Sequence, residues 1–121
     1  MIERHAKRIT ARFYRTPAGN EPVRDWLLGL ESVDRRIVGE DMATVEFGWP
    51  IGMPTCRPVG NQGVREVRST IRHGKVEARV YFGIDDDKMI LLHAAQKKPA
   101  RQQDDIATAE SRWSDYKRRK E

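Results

Sequence analysis

The spacing of hydrophobic residues changes at a turn near the start of the chain. Residues 8–15 contain β-branched and aromatic residues and stop at a Thr-Pro-Ala-Gly turn, which predicts a short strand. After the turn, apolar residues recur every three or four positions, as on one face of a helix. This pattern predicts amphipathic helices over about 21–30 and about 33–47, the second ended by Gly48 and Pro50. Because the connection is short, the two helices should form an antiparallel hairpin.

The second half of the chain has the two-residue alternation of β-strands. Residues 50–63 contain three prolines and three glycines and are predicted to form a loop, with a short strand around Thr55–Val59. Three strands follow, and in the middle one, residues 76–84, the apolar side chains share one face. The opposite face of that strand carries Glu77, Arg79 and Tyr81. A last amphipathic helix is predicted over about 102–118.

The predicted element order is β-α-α-β-β-β-β-α, a helix hairpin inserted after the first strand of a small sheet. A chain of 121 residues is long enough for one modest core and too short for two. We therefore expect a single α+β domain over residues 1–121, with a C-terminal helix.

The charge balance favours a polyanionic partner. The chain carries 23 Lys and Arg against 18 Asp and Glu, a net charge of +5. Most of the excess lies in residues 65–121, which hold 14 basic and 10 acidic side chains. The strand-rich half is therefore the expected contact surface for such a partner. The alternative is a soluble, arginine-rich surface without a nucleic-acid partner.

Cysteine and histidine usage argues against a disulfide or a metal site. Cys56 is the only cysteine, which fits a reducing cytoplasm. The three histidines, His5, His73 and His93, are far apart, and no pair has the spacing of zinc ligands. The N-terminal residues lack the apolar segment of a signal peptide, and no run approaches membrane-spanning length. We expect no cofactor, no metal and no membrane association.

Five motifs in order, within residues 20–116, carry a family resemblance. They are Glu21–Leu27, Gly63–Arg68, Ala78–Phe82, Ile90–Pro99 and Ile106–Tyr116. The chain resembles the HigB-type, phage-derived branch of the RelE/ParE toxin superfamily. This resemblance implies a small, twisted, mostly antiparallel RelE-like sheet with helices on one face.

The resemblance also implies an activity and partners. Similar proteins are toxins of type II toxin–antitoxin systems and act as mRNA interferases, which are metal-independent endoribonucleases (hydrolases) that usually work in the ribosomal A site. A cognate antitoxin, expected to be of the helix-turn-helix type, keeps such a toxin silent in the cytoplasm. Two alternatives stay open, since fold alone does not decide activity: a ParE-like gyrase inhibitor, or a non-catalytic RNA-binding module.

The resemblance assigns the catalytic positions to basic side chains: Arg68, Arg79, Lys97 and Lys98. Metal-free RNA cleavage needs cations that stabilise the extra charge on the reacting phosphate, and Arg79 is the preferred candidate. The alternative for Arg79 is a surface ion pair with Glu77 or Glu66. Arg68 could contact a neighbouring phosphate or be a solvated strand residue. RNA-binding roles are predicted for Arg65, Arg72, His73, Tyr81 and Arg101.

The sequence does not identify a general acid or base. RelE-like relatives often have a tyrosine near the start of the last helix, where this chain has Asp104 and Asp105. The HigB-like branch usually has a phenylalanine at the position of Ala95. His93 follows Ile90, Leu91 and Leu92 on a predicted central strand, so we interpret it as a core or supporting histidine more readily than as a catalyst.

Overall fold

The residues with alternating polarity form five strands, and those with helical spacing form three helices. A computed structural model describes residues 6–96 and 102–120 of the protein. The elements are β1 (Thr10–Phe13), α1 (Pro22–Leu28), α2 (Ser32–Gly48), β2 (Cys56–Pro58), β3 (Arg65–Ile71), β4 (Val76–Asp85), β5 (Lys88–Gln96) and α3 (Gln102–Lys120). The predicted order and the α+β class are confirmed. The first strand is shorter than predicted, because only its central residues pair with a neighbour.

The five strands form one sheet in the order β1-β5-β4-β3-β2. β1 runs parallel to β5, and the other neighbouring pairs are antiparallel. The helix hairpin α1–α2 follows β1 at one edge of the sheet and leads to β2 at the opposite edge. The predicted mostly antiparallel sheet is confirmed, and the most apolar strands, β4 and β5, lie inside it.

The helices cover both faces of the sheet. α1 and α2 pack on the face that we call the hairpin face, where Val67, Val80 and Leu91 are buried. α3 packs on the opposite face, called the α3 face, where Tyr81 and Ile90 are buried. The expectation of helices on one face is therefore wrong. Its physical reason is β5, whose apolar side chains point alternately to both faces and must be covered on both.

α3 is seated on a glycine of β4. The ring of Trp113 lies so close to Gly83 that a Cβ atom added there would be 2.6 Å from it. The Trp113 ring also stacks on Tyr116, with ring centroids 5.5 Å apart. Because any larger residue would occupy the space of the indole, Gly83 fixes where the helix crosses the sheet.

Two tyrosine–carboxylate hydrogen bonds hold the last turns of α3. The Tyr14 hydroxyl donates to Asp115 and the Tyr116 hydroxyl donates to Asp85, both over 2.6 Å. A basic side chain of α3 pairs with each carboxylate as well. The C-terminal half of α3 is thereby attached to β1 and to the β4–β5 turn. Within residues 6–96 and 102–120, no helix is both long enough and apolar enough to cross a membrane.

Candidate functional site

Three neighbouring strands place charged side chains on the α3 face, beyond the part that α3 covers. In the strand register, Arg68 of β3 lies opposite Arg79 of β4, and Arg57 of β2 lies opposite Glu66 of β3. Because every second residue of a strand points to the same side, these side chains converge on one surface. Together with Glu77 of β4 they form a group that we call the arginine cluster: Arg57, Glu66, Arg68, Glu77 and Arg79.

Glu66 is the centre of the arginine cluster. Its side chain is 0% exposed. One carboxylate oxygen, Oε1, lies 2.5 Å from Arg57 Nε and 3.3 Å from Arg68 Nε, and Oε2 lies 3.3 Å from Arg79 Nη1. A buried carboxylate is costly unless cations and hydrogen bonds compensate it. Three guanidinium groups provide that compensation here.

Glu77 forms the outer acidic side of the cluster. Its carboxylate lies 3.3 Å from Arg79 Nη2 and 3.7 Å from Arg68 Nη1, and its side chain is 28% exposed. Arg79, which is paired with both glutamates, is only 4% exposed. Burial acts to lower the pKa of Arg79, but the charges of Glu66 and Glu77 outweigh it and the pKa is raised. Arg79 is therefore a permanently charged, enclosed cation.

The cations that reach solvent are Arg57 and Arg68. Their side chains are 34% and 32% exposed. The three arginines and two glutamates give the cluster a net charge of only about +1 at neutral pH. Attraction of an anion to this surface therefore depends on where the guanidinium groups point more than on total charge.

Tyr81 lies under the cluster and is fully buried. The Tyr81 hydroxyl and the Arg79 Nε are both enclosed, and among the described residues neither makes a hydrogen bond of good geometry. The two side chains are nevertheless close enough for each to shift the pKa of the other. Burial raises the pKa of Tyr81 to about 12, and the charge of Glu66 adds to the increase. Tyr81 and Arg79 are thus neighbours on one strand face and form the enclosed floor of the cluster.

A β-bulge brings His93 beside Tyr81. Tyr81 pairs with His93 but Phe82 pairs with Leu91, so β5 uses one extra residue at this point. The His93 and Tyr81 rings stack with centroids 5.9 Å apart and planes 23° apart. Without the extra residue, the strict alternation of β5 would place His93 on the hairpin face.

Both ring nitrogens of His93 are engaged by α3. Nε2 lies 2.8 Å from Asp105 Oδ1. Nδ1 lies 3.3 Å from Arg112 Nη1, which also donates to the Leu92 carbonyl oxygen over 2.9 Å. Because Arg112 is only a donor, Nδ1 is the accepting nitrogen and Nε2 carries the proton shared with Asp105. His93 thus connects the sheet to α3, in keeping with a supporting histidine.

The predicted RNA-binding residues do not all lie at the arginine cluster. Arg65 is on the hairpin face, because it is one residue from Glu66, and its guanidinium lies 5.1 Å from the centre of the Trp49 ring. Arg72 and His73 are in the β3–β4 turn with φ angles of 55° and 56°. The Arg72 backbone N–H donates to Asp34 of α2 over 3.1 Å. These three side chains form no part of the cluster, and Tyr81 lies beneath it.

Three further predicted residues, Lys97, Lys98 and Arg101, lie outside the described residues. The catalytic assignments of Arg68 and Arg79, which share the cluster, stay predictions, as do those of the two lysines.

Sequence analysis missed Arg57 and the central position of Glu66. Arg57 falls in the short strand predicted around Thr55–Val59, but the partner of a three-residue strand cannot be inferred from its own pattern. Glu66 shares a strand face with Arg68, since the two are separated by one residue. That i, i+2 spacing was the available signal for a charged pair on one surface.

Among the described residues, no group of three His, Cys, Asp or Glu side chains could hold a metal ion. Cys56 is buried, and burial raises the pKa of its thiol to about 11, so it is a protonated core side chain. Residues 25–114 of the chain match the model of a family described as phage-derived Gp49-like proteins. No curated protein matches the sequence significantly.

Proposed function

The chain belongs to the Gp49-like family, which is phage-derived and RelE/toxin-like, and on that premise we propose that it is a HigB-type toxin that cleaves messenger RNA. It acts in the cytoplasm as an endoribonuclease, without a metal, as one partner of a type II toxin–antitoxin pair. The observation that carries this proposal is the convergence of Arg57, Arg68 and Arg79 on one sheet surface. Three fixed positive charges at one place suit a phosphodiester that gains negative charge during reaction.

The proposed reaction is an internal transfer at phosphorus. The ribose 2′-oxygen forms a bond to phosphorus as its proton leaves to a base, and the bond from phosphorus to the 5′-oxygen breaks as that oxygen takes up a proton. The products carry a 2′,3′-cyclic phosphate and a 5′-hydroxyl. Arg79 stabilises the negative charge of the transition state, and Arg68 contacts a phosphate to position the chain. Lys97 and Lys98 are the candidates for proton transfer.

The pairing of Arg79 defines what the substrate has to displace. In the free protein, Glu66 and Glu77 both neutralise Arg79. Glu77 is the more exposed of the two carboxylates, so a phosphate approaching from solvent meets Glu77 first. The proposed substrate complex therefore exchanges the Glu77 contact of Arg79 for a phosphate oxygen.

The test is incubation of purified protein with mRNA in EDTA, with and without ribosomes. Wild-type protein should produce fragments with 5′-hydroxyl ends. Arg79→Ala should lower the cleavage rate by about 100-fold or more, as expected when a fixed transition-state cation is lost. Arg24→Ala serves as the matched control, because Arg24 is an exposed arginine of α1 on the other side of the sheet. Thermal unfolding of each variant shows whether a loss of activity follows from a loss of fold.

Other outcomes would identify the alternatives. RNA binding without cleavage in every condition would contradict the nuclease and leave a non-catalytic RNA-binding module. Inhibition of DNA supercoiling by gyrase, with no effect on RNA, would indicate a ParE-like inhibitor. Growth arrest that a helix-turn-helix antitoxin encoded beside the gene relieves would support the toxin assignment, whichever target is correct.

A further inference from the structure

Arg57 and Arg68 both contact Glu66 through the same edge of the guanidinium group. In each case the atom nearest the carboxylate is Nε, at 2.5 Å and 3.3 Å. A guanidinium has a second edge, formed by its two terminal nitrogens, that binds phosphate or carboxylate oxygens in pairs. The terminal nitrogens of Arg57 have no ion-pair or hydrogen-bond partner in residues 6–96 and 102–120. About a third of each side chain faces solvent, 34% for Arg57 and 32% for Arg68.

We propose that Arg57 and Arg68 form a binding site for one phosphodiester of single-stranded RNA, and that buried Glu66 is the positioning residue of this site. The choice of RNA as the ligand rests on the proposed function. Glu66 holds the inner edges of both guanidinium groups. The outer edge of Arg57 then faces the substrate, while the outer edge of Arg68 is shared with Glu77, which lies 3.7 Å from Arg68 Nη1. Arg57 enters on β2 and Arg68 on β3, which are neighbours in the sheet.

Geometry distinguishes this arrangement from a purely structural ion-pair network. Glu66 has no exposed surface, so it does not touch a substrate, and its effect on binding passes through the arginines. An isolated arginine on a strand surface samples many rotamers, whereas one fixed by a buried carboxylate loses little additional entropy on binding. Glu66 thus fixes the direction of two cations, although its negative charge lowers the net charge of the site by one.

This proposal predicts an effect opposite in sign to simple charge attraction. Glu66→Gln raises the net charge by one, which by itself should tighten the binding of a polyanion. If Glu66 positions Arg57 and Arg68, the same change should weaken binding by about tenfold, since charged hydrogen bonds lose their geometry. The matched control is Glu40→Gln, an exposed glutamate of α2 that gives the same net charge. The probe is a fluorescent, single-stranded 2′-O-methyl oligoribonucleotide, which cannot be cleaved, measured by anisotropy.

A second pair of variants leaves Glu66 in place and tests the outer edge of Arg57. Arg57→Gln should weaken oligonucleotide binding by about tenfold and lower the salt dependence by about one counterion. Arg57→Lys keeps the charge, but an ammonium group that contacts Glu66 has no second planar edge with two parallel N–H groups for a phosphate. We therefore expect Arg57→Lys to lose most of what Arg57→Gln loses. These variants decide the proposal if Glu66→Gln fails to fold in thermal unfolding.

The results separate this site from the proposed activity. If folded Glu66→Gln binds the oligonucleotide as tightly as Glu40→Gln, or if Arg57→Lys binds as tightly as wild type, Glu66 does not position a phosphate site. mRNA cleavage by the wild type would stand despite that result. Conversely, wild-type protein that binds the oligonucleotide with the expected variant effects, yet cleaves no mRNA with or without ribosomes, supports the site and contradicts the nuclease.

Discussion

Gly83 is the residue on which the docking of α3 most directly depends. A methyl group at this position would overlap the Trp113 ring, and both groups lie in close packing between sheet and helix. The sequence alternation predicts that residue 83 faces away from Val80 and Phe82. It does not show that an indole 30 positions later would occupy the space above it, because that contact depends on the tilt of α3.

Gly83→Ala is expected to lower the free energy of unfolding by about 1–3 kcal/mol, because the ring of Trp113 must move. Urea denaturation followed by tryptophan fluorescence and by circular dichroism measures this change. Gly39→Ala is the control, since a Cβ at this position of α2 meets nothing within 4 Å. That substitution should raise stability by about 0.5–1 kcal/mol through helix propensity. If Gly83→Ala and Gly39→Ala changed the free energy of unfolding equally, the packing of Trp113 would not depend on the absence of a side chain at position 83.

For the charged residues, the sequence pattern predicts the face of the sheet but not the partners of each side chain. Alternation placed Arg79 on the face opposite Val80, and the structure has it there. Alternation also left two roles for Arg79 open, a substrate cation and an ion pair with Glu66 or Glu77. The ion pairs with both are present in the free protein. The environment of Arg79 includes Glu66 and Tyr81, whose positions relative to Arg79 come from the strand register.

At the scale of elements, the helix hairpin was predictable and its stabilisation was not. The apolar spacing predicted both helices within a few residues. α1 has only seven residues, and so short a helix is marginal without tertiary contacts. The side chain of Arg35 in α2 extends back to the C-terminal end of α1. It donates to the carbonyl oxygens of Leu27 over 3.0 Å and Leu30 over 2.8 Å. The last carbonyl groups of a helix lack the usual backbone donor four residues later. The Leu27 carbonyl oxygen also accepts from the Leu30 backbone N–H over 3.1 Å, so Arg35 adds a second hydrogen bond there.

Arg35→Ala should therefore destabilise the protein by about 1–2 kcal/mol, through the loss of hydrogen bonds to these carbonyl groups. The neighbouring Arg36 is exposed, and Arg36→Ala removes the same charge and nearly the same volume. It should change stability by less than about 0.5 kcal/mol. Amide hydrogen exchange adds a local measurement, because faster exchange in α1 is expected for Arg35→Ala only. Similar exchange rates in the two variants would contradict the assigned role of Arg35.

The sheet pairing was only partly accessible from the sequence. Hairpins β3–β4 and β4–β5 followed from short turns between alternating strands. The parallel pairing of β1 with β5 and the position of β2 beside β3 join segments that local patterns do not connect. The bulge that brings His93 to Tyr81 is likewise a property of two paired strands, and strict alternation alone would have missed it.

For the whole molecule, the tyrosines link stability to pH. Burial, together with the carboxylate that each contacts, raises the pKa of Tyr14, and raises that of Tyr116 to about 12. Burial also raises the pKa of Tyr81 to about 12. The hydrogen bond from Lys120 lowers the pKa of Asp85, and that from Tyr14 lowers the pKa of Asp115. The folded state thus favours protonated tyrosines and ionised aspartates.

The free energy of unfolding is expected to be highest between about pH 5 and 9. A raised tyrosine pKa gives stability that is complete below about 10, the ordinary value, and is lost as the pH rises through the folded value. A lowered aspartate pKa gives stability that is present above about 4 and is lost as the pH falls through the folded value. Urea denaturation across the pH range measures the loss of stability at the acid end and at the alkaline end.

Tyr116→Phe tests the alkaline limit. It removes one of the three titrating tyrosines, so stability should fall less steeply with pH above about 10. At pH 7 the variant should be less stable than wild type, since Asp85 loses a hydrogen bond. An unchanged alkaline slope would show that Tyr116 titrates alike in the folded and unfolded states.

The parallel pair β1–β5 has a consequence for synthesis on the ribosome. Thr10 pairs with Lys88, so the first strand leaves the exit tunnel long before its partner has been translated. The strands that complete the arginine cluster, β3 and β4, are also made only after the helix hairpin. A prematurely terminated chain ending before β5 lacks the central partner of both β1 and β4 and cannot close its core. Under the proposed toxin function, harm to the producing cell therefore requires a polypeptide elongated past this strand.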